Sequence, residues 1–154
     1  MSIAFPVSSD AVNYQIFRDI PSGGIWMYNA STKSWKSIDR NICDFPGGVP
    51  GIPTASQVVA QIDIARPVVF AANFVGSFWN CNTAPTAQTI FTININGTSI
   101  GSIIFAAGSN TATFTSVATG STVINSGSVL TIVAPATPDA TLASASGTLA
   151  GYLL

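Results

Sequence analysis

Thr89-Ile90-Phe91-Thr92-Ile93-Asn94-Ile95-Asn96-Gly97-Thr98-Ser99-Ile100-Gly101-Ser102-Ile103-Ile104-Phe105 consists of two runs of apolar and polar residues joined by Asn-Gly. Alternation with a period of two marks a strand with one face buried. Asn-Gly supplies the two positive φ angles of a type I′ turn. The stretch therefore predicts a β-hairpin with strands over Thr89–Ile95 and Thr98–Phe105. The same signature continues outward. Upstream, Val58 to Ile64 alternates, and Pro67 to Phe74 and Ser77 to Cys81 follow. Downstream, Gly108-Ser109-Asn110 turns the chain into Thr111 to Val117, and a further turn lies near Ala118 to Ser121. Ser126-Gly127 precedes Val129 to Ala134, and a last strand falls within Thr141 to Tyr152. Helical periodicity with caps is missing. About seven or eight short strands punctuated by turns imply an all-β fold, a β-sandwich or jelly-roll-like domain over residues 57–154.

Before this domain the composition changes twice. Residues 46–56, Pro46-Gly47-Gly48-Val49-Pro50-Gly51-Ile52-Pro53-Thr54-Ala55-Ser56, carry no charge and read as a stiff Pro/Gly-rich linker. Residues 1–45 hold most of the charges and two of the three tryptophans. They read as an anchoring arm with a short β-hairpin, strands Gly24 to Asn29 and Ser34 to Ile38 joined by a turn at Ala30 to Lys33. A lone hairpin is marginal in water. Trp26, Tyr28 and Trp35 thus need a surface to pack on, either the chain's own second domain or a docking partner.

Composition narrows the chemistry. Charged residues are 7% of the chain, against about a quarter in an ordinary soluble domain. From Pro67 to Leu154 the one charged side chain is Asp139, set among Ser, Thr and Asn. A surface so neutral suits burial in an assembly. The chain has no His and no Glu, which removes the commonest general base and the commonest metal ligand. Its six Asp are scattered singly, and Cys43 and Cys81 cannot make a four-ligand zinc site without His. No enzyme activity, metal or cofactor is expected, and the two cysteines read as free thiols, with a Cys43–Cys81 bridge as the alternative. Five basic residues and a net charge of −1 argue against nucleic acid. Lys33, Lys36 and Arg40 are interleaved with Asp39 and Asp44 and read as a solvated face. The N-terminus lacks the basic and apolar regions of a signal peptide, and Ile64 to Trp79 is interrupted by Arg66, Pro67 and Asn73, so neither export nor membrane insertion is expected.

Few residues suggest a site. Trp79 beside Asn80 and Asn82 is the candidate for glycan contact, because a ring stacks on a pyranose while amides reach its hydroxyls. The competing reading places Trp79 in the core. Asp139 follows Pro135-Ala136-Thr137-Pro138 and reads as a turn residue accepting backbone N–H groups. Asn96-Gly97-Thr98 and Asn29-Ala30-Ser31 match the glycosylation sequon, but Asn96 is better explained by the hairpin turn. Thr111, Thr113 and Thr115 read as the solvent side of a strand, with a flat crystalline or glycan surface as the alternative.

Two strings carry a family resemblance. Phe91 to Gly108, with Asn96-Gly97-Thr98, Ile100-Gly101 and Phe105-Ala106-Ala107-Gly108, is followed by Leu130-Thr131-Ile132-Val133-Ala134-Pro135 and Asp139-Ala140-Thr141-Leu142-Ala143. In order and spacing these resemble a β-domain of tailed-bacteriophage structural proteins, particularly tail-fibre and tail-tip components. The likeness covers about Ser56 to Gly151. One departure is Gly127-Ser128, where the family often has Gly-Asp. The resemblance implies a non-enzymatic virion protein made in the host cytoplasm and commonly a homotrimer. It would bind other virion proteins of tail or capsid and touch a host-surface glycan; the first 55 residues lie outside the likeness, and their charges and aromatics, Trp26, Tyr28 and Trp35 among them, suit an arm that docks on a capsid or tail component. A capsid decoration protein and a free carbohydrate-binding module are the alternatives.

Overall fold

The computed structural model describes residues 16–18, 25–37 and 41–153. The chain divides into two compact units, Met1–Arg40 and Asn41–Leu154. In the first, β1 (Ile16–Arg18), β2 (Ile25–Asn29) and β3 (Ser34–Ser37) form an antiparallel sheet in the order β1-β2-β3. The expected hairpin is β2 and β3. Its turn is held by Asn29, whose Oδ1 accepts from the Ser31 and Thr32 amides at 3.0 and 3.2 Å. β1 is a third strand that the sequence did not reveal.

The second unit contains β4 (Asn41–Gly48), β5 (Val58–Asp63), β6 (Val68–Phe70), β7 (Phe78–Asn80) and β8 (Thr89–Ile95). It continues with β9 (Thr98–Phe105), β10 (Thr113–Ser116), β11 (Thr122–Ile124), β12 (Val129–Val133) and β13 (Ser146–Leu153). Two five-stranded sheets result. One has the order β10-β9-β8-β12-β5, and the other has β11-β6-β13-β4 with β7 also paired to β13. The fold is a β-sandwich. Its pairings are nested: β4 with β13, β5 with β12, β6 with β11 and β8 with β9, all antiparallel. At the centre of the nest Asn96 (φ 49°) and Gly97 (φ 81°) make the expected turn. Asn96 also reaches out of the hairpin, its Oδ1 accepting from the Val129 amide at 2.8 Å, and so ties the turn to β12.

Alternation places Phe91, Ile93, Ile103, Phe105, Leu130 and Ile132 on the inner face of one sheet, all at 0% exposure. Against them the other sheet sets Phe45, Phe70, Trp79, Ile124 and Leu149. Each fully buried side chain of this size contributes about 1.5–3 kcal/mol. Trp79 lies 6.0 Å from Phe91 across the two layers, while on its own side of the core Phe70 lies 5.4 Å from Phe45 and 5.5 Å from Phe74.

Three expectations need correction. The segment read as a linker begins inside β4, where Pro46, Gly47 and Gly48 pair with Thr148, Gly147 and Ser146. Proline is tolerated there because β4 is an edge strand, where a missing N–H breaks no ladder. Val49 and Pro53 are buried as well, so 46–56 is integral to the sandwich. The strand expected over Pro67 to Phe74 stops at Phe70. Asn73 and Phe74 then take left-handed φ values of 52° and 50°, and Phe74 turns into the core at 1% exposure. Finally, Thr122–Ile124, where no strand was expected between the turns near Ala118 to Ser121 and at Ser126-Gly127, is a strand on the outer edge of its sheet.

Candidate functional surface

Among the described residues no group of three or more His, Cys, Asp or Glu side chains lies together. Both cysteines are free thiols. Burial pushes each above its ordinary value, with Asp44 adding to the effect at Cys43 and a hydrogen bond from Asn110 opposing it at Cys81. Neither is activated, since a reactive thiol needs the reverse shift. A pocket of about 350 Å³ opens at one end of the sandwich, lined mainly by Phe45, Ile64, Val68 and Leu153, with Cys43, Asp63 and Arg66 beside them. It holds no convergent set of polar groups of the kind that orients a substrate.

Trp79 is not at the surface. It is 0% exposed, so its ring cannot stack on a sugar. The indole occupies a socket made by a cross-strand glycine pair, Gly47 on β4 and Gly147 on β13. A Cβ at Gly47 would lie 3.0 Å from Trp79 Cζ2, and one at Gly147 would lie 2.5 Å from Cδ1. Alternation along β7 then turns Asn80 outward, and Asn82, just beyond the strand, is also exposed. Without the ring beside them, these amides form no aromatic platform. In the first unit Tyr28 is 3% exposed and lies 5.4 Å from Trp35, its direct partner across β2 and β3. Tyr28 therefore presents little surface for docking, while Trp26 and Trp35 are half-buried.

Asp139 is a structural clasp. Its Oδ1 accepts from the Thr141 hydroxyl at 2.5 Å, the Thr141 amide at 2.8 Å and the Leu142 amide at 3.2 Å. Oδ2 accepts from the Thr86 hydroxyl at 2.8 Å and the Ala87 amide at 2.9 Å. The turn reading of this residue was right, and the reach to Thr86 and Ala87 was invisible in one dimension. These donors, the Thr141 hydroxyl foremost, hold the carboxyl far below the usual carboxylate range. The folded-state pKa is thus depressed. Its stabilising contribution is fully present above the ordinary value near pH 4, and is lost as pH falls below that value toward the folded pKa. In thermal melts between about pH 2 and 6, Asp139→Asn is expected to melt below the wild type at pH 6. The gap should narrow steadily in acid. A gap independent of pH would show that the clasp does not act through the ionised carboxylate.

What remains is surface, and the two outer faces differ. On the β10-β9-β8-β12-β5 sheet, cross-strand rows read Thr115–Ser102–Thr92 and Asn94–Thr131–Gln61. These rows set hydroxyls and amides on strands about 4.8 Å apart; the same face carries Val133, Val58, Ile90 and Asp63 beside them. The opposite sheet shows an apolar row, Ile42–Tyr152–Val69–Val123, crossing four of its five strands. Comparison of this chain with family models, with curated proteins and with solved structures found no match.

Proposed function

We propose that this chain is a non-enzymatic structural protein of a bacteriophage particle, a tail-fibre or tail-tip component whose sandwich is displayed outward and contacts the host surface. The observation that carries the reading is the uncharged grid of Thr92, Asn94, Ser102, Thr115 and Thr131 on a rigid five-stranded sheet. These rows offer many neutral donors and acceptors, with Asp63 on the edge strand β5 the one charge on the strands of this sheet, which suits contact with a hydroxyl-rich partner over an area. The finer fold reading is a jelly roll. It is supported by the nested pairs β4·β13, β5·β12, β6·β11 and β8·β9, the arrangement of a long hairpin rolled into two sheets. Jelly rolls serve capsids and lectins alike, so the role rests on the surface and on the sequence resemblance of residues 56–151 to tail-fibre domains.

The test is the copy number and position of the chain on purified particles, by quantitative mass spectrometry and immunogold labelling. Low copy restricted to the tail is the expected result. Dense labelling over the head would replace the fibre reading with a capsid decoration protein, and absence from particles would remove both.

A further inference from the structure

Asn96 does more in the hairpin turn than supply a dihedral. Its amide donates to the Val129 carbonyl at 3.0 Å and its Oδ1 accepts from the Val129 amide at 2.8 Å, so one residue of β12 holds both its backbone and its side chain. Gly97 follows it, exposed, with nothing within 4 Å of where a Cβ would lie. This is the chain's one Asn-Gly pair. Glycine has no side chain to screen its own backbone nitrogen, and that nitrogen is a nucleophile one residue from the Asn96 Cγ.

We infer that Asn96 is a site of covalent self-modification, a deamidation by the Gly97 nitrogen that the folded turn holds off and that opening of the hairpin releases. In the reaction the Gly97 N–Cγ bond forms, the Cγ–Nδ2 bond breaks, and ammonia leaves with the proton from Gly97. Water then opens the cyclic imide. Cleavage of the bond to Cγ gives aspartate, and cleavage at the main-chain carbonyl gives isoaspartate, in which the backbone runs through the former side chain. Nothing is oxidised or reduced.

The fold sets the gate. Asn96 has φ 49° and Gly97 φ 81°, a mirror-image type I turn, in which ψ at the first central residue is about +30°. That value puts the Gly97 nitrogen and the Asn96 Cβ on opposite sides of the Cα–C bond, so the ring cannot close. Closing it needs a large rotation about that bond, which would redirect the chain between the paired residues Ile95 and Thr98 and break the hold of Val129. The hairpin must open first. Its strands carry Phe91, Ile93, Ile103 and Phe105, all fully buried, so opening is rare. Isoaspartate then makes the change one-way. It lengthens the main chain at a two-residue turn that fixes strand register, and it turns the group that accepts from Val129 into main chain.

The test is peptide mapping by mass spectrometry of the full chain aged at mildly alkaline pH, folded or in urea, with fragmentation that separates aspartate from isoaspartate. In urea Asn96 is expected to convert, and in the folded chain to convert about ten-fold or more slowly. After urea is removed, chains carrying isoaspartate should melt below unmodified ones. Asn96→Asp, which brings the charge without rerouting the main chain, should melt close to the wild type. Equal rates in the folded and unfolded chain would overturn the gate, and absence of conversion in urea would overturn the site. Isoaspartyl chains that refold and melt like the wild type would overturn the one-way step. The inference does not depend on where the chain sits in a particle.

Discussion

Gly147→Ala is expected to cost about 3 kcal/mol or more, a large share of the roughly 5–15 kcal/mol that holds a domain together. The added Cβ would sit 2.1 Å from the Phe78 carbonyl oxygen and 2.6 Å from the Trp79 Cα. Both are backbone atoms of β7, which is paired to β13 at this position, so no side-chain rotation relieves the contact. The strands must separate or the pairing must break. Overpacking of ordinary core sites costs about 1–3 kcal/mol, and this site lies at or above the top of that range because the obstruction is main chain. Gly120→Ala is the control, with nothing within 4 Å of the added carbon. Urea unfolding of the two variants beside the wild type decides the matter. Equal stability of both would show that Gly147 is not held by close approach.

Trp79→Ala is expected to cost about 3–5 kcal/mol. The ring is completely buried, touches Phe91 across the sandwich and fills the space left by Gly47 and Gly147, which have no side chains with which to close the hole. Trp79→Phe should cost less, about 1–2 kcal/mol, although it too removes ring volume. The reason is Nε1, which is buried without a hydrogen-bond partner. A buried N–H left unpaired costs about 1–3 kcal/mol, and phenylalanine removes that penalty. Denaturant midpoints for the two variants test the ranking. If Trp79→Phe proved as damaging as Trp79→Ala, the ring's volume would not be what matters. Since the ring is out of reach of solvent, the phenylalanine variant should keep whatever surface binding the wild type has.

Both substitutions concern a relationship that no local pattern announces. The hairpin Thr89–Phe105 was legible because its cause is local: alternation sets the faces and Asn96-Gly97 supplies the turn dihedrals. Asp139 was legible as a turn residue for the same reason, since Thr141 and Leu142 are two and three residues away. Its clasp on Thr86 and Ala87, more than fifty residues away, was not. Trp79 was read ambiguously, because a tryptophan flanked by asparagines looks alike in a core and on a binding face. Burial decides between them, and burial depends on what faces the ring.

The amino-acid sequence by itself determined the all-β class, the strands from β8 onward with few exceptions, and the neutrality of the surface. Period-two alternation, turn chemistry and composition act over a few residues and survive in one dimension. The tertiary structure alone decided that Pro46-Gly47-Gly48 is a strand and not a linker. Glycine and proline disfavour a strand locally, and only the pairing with Thr148, Gly147 and Ser146 and the contact with the Trp79 indole make them the residues that fit. It also decided which apolar residues remain outside. Ile42 and Val123 come from strands 81 positions apart, and their shared row exists only because β13 and β6 lie between β4 and β11.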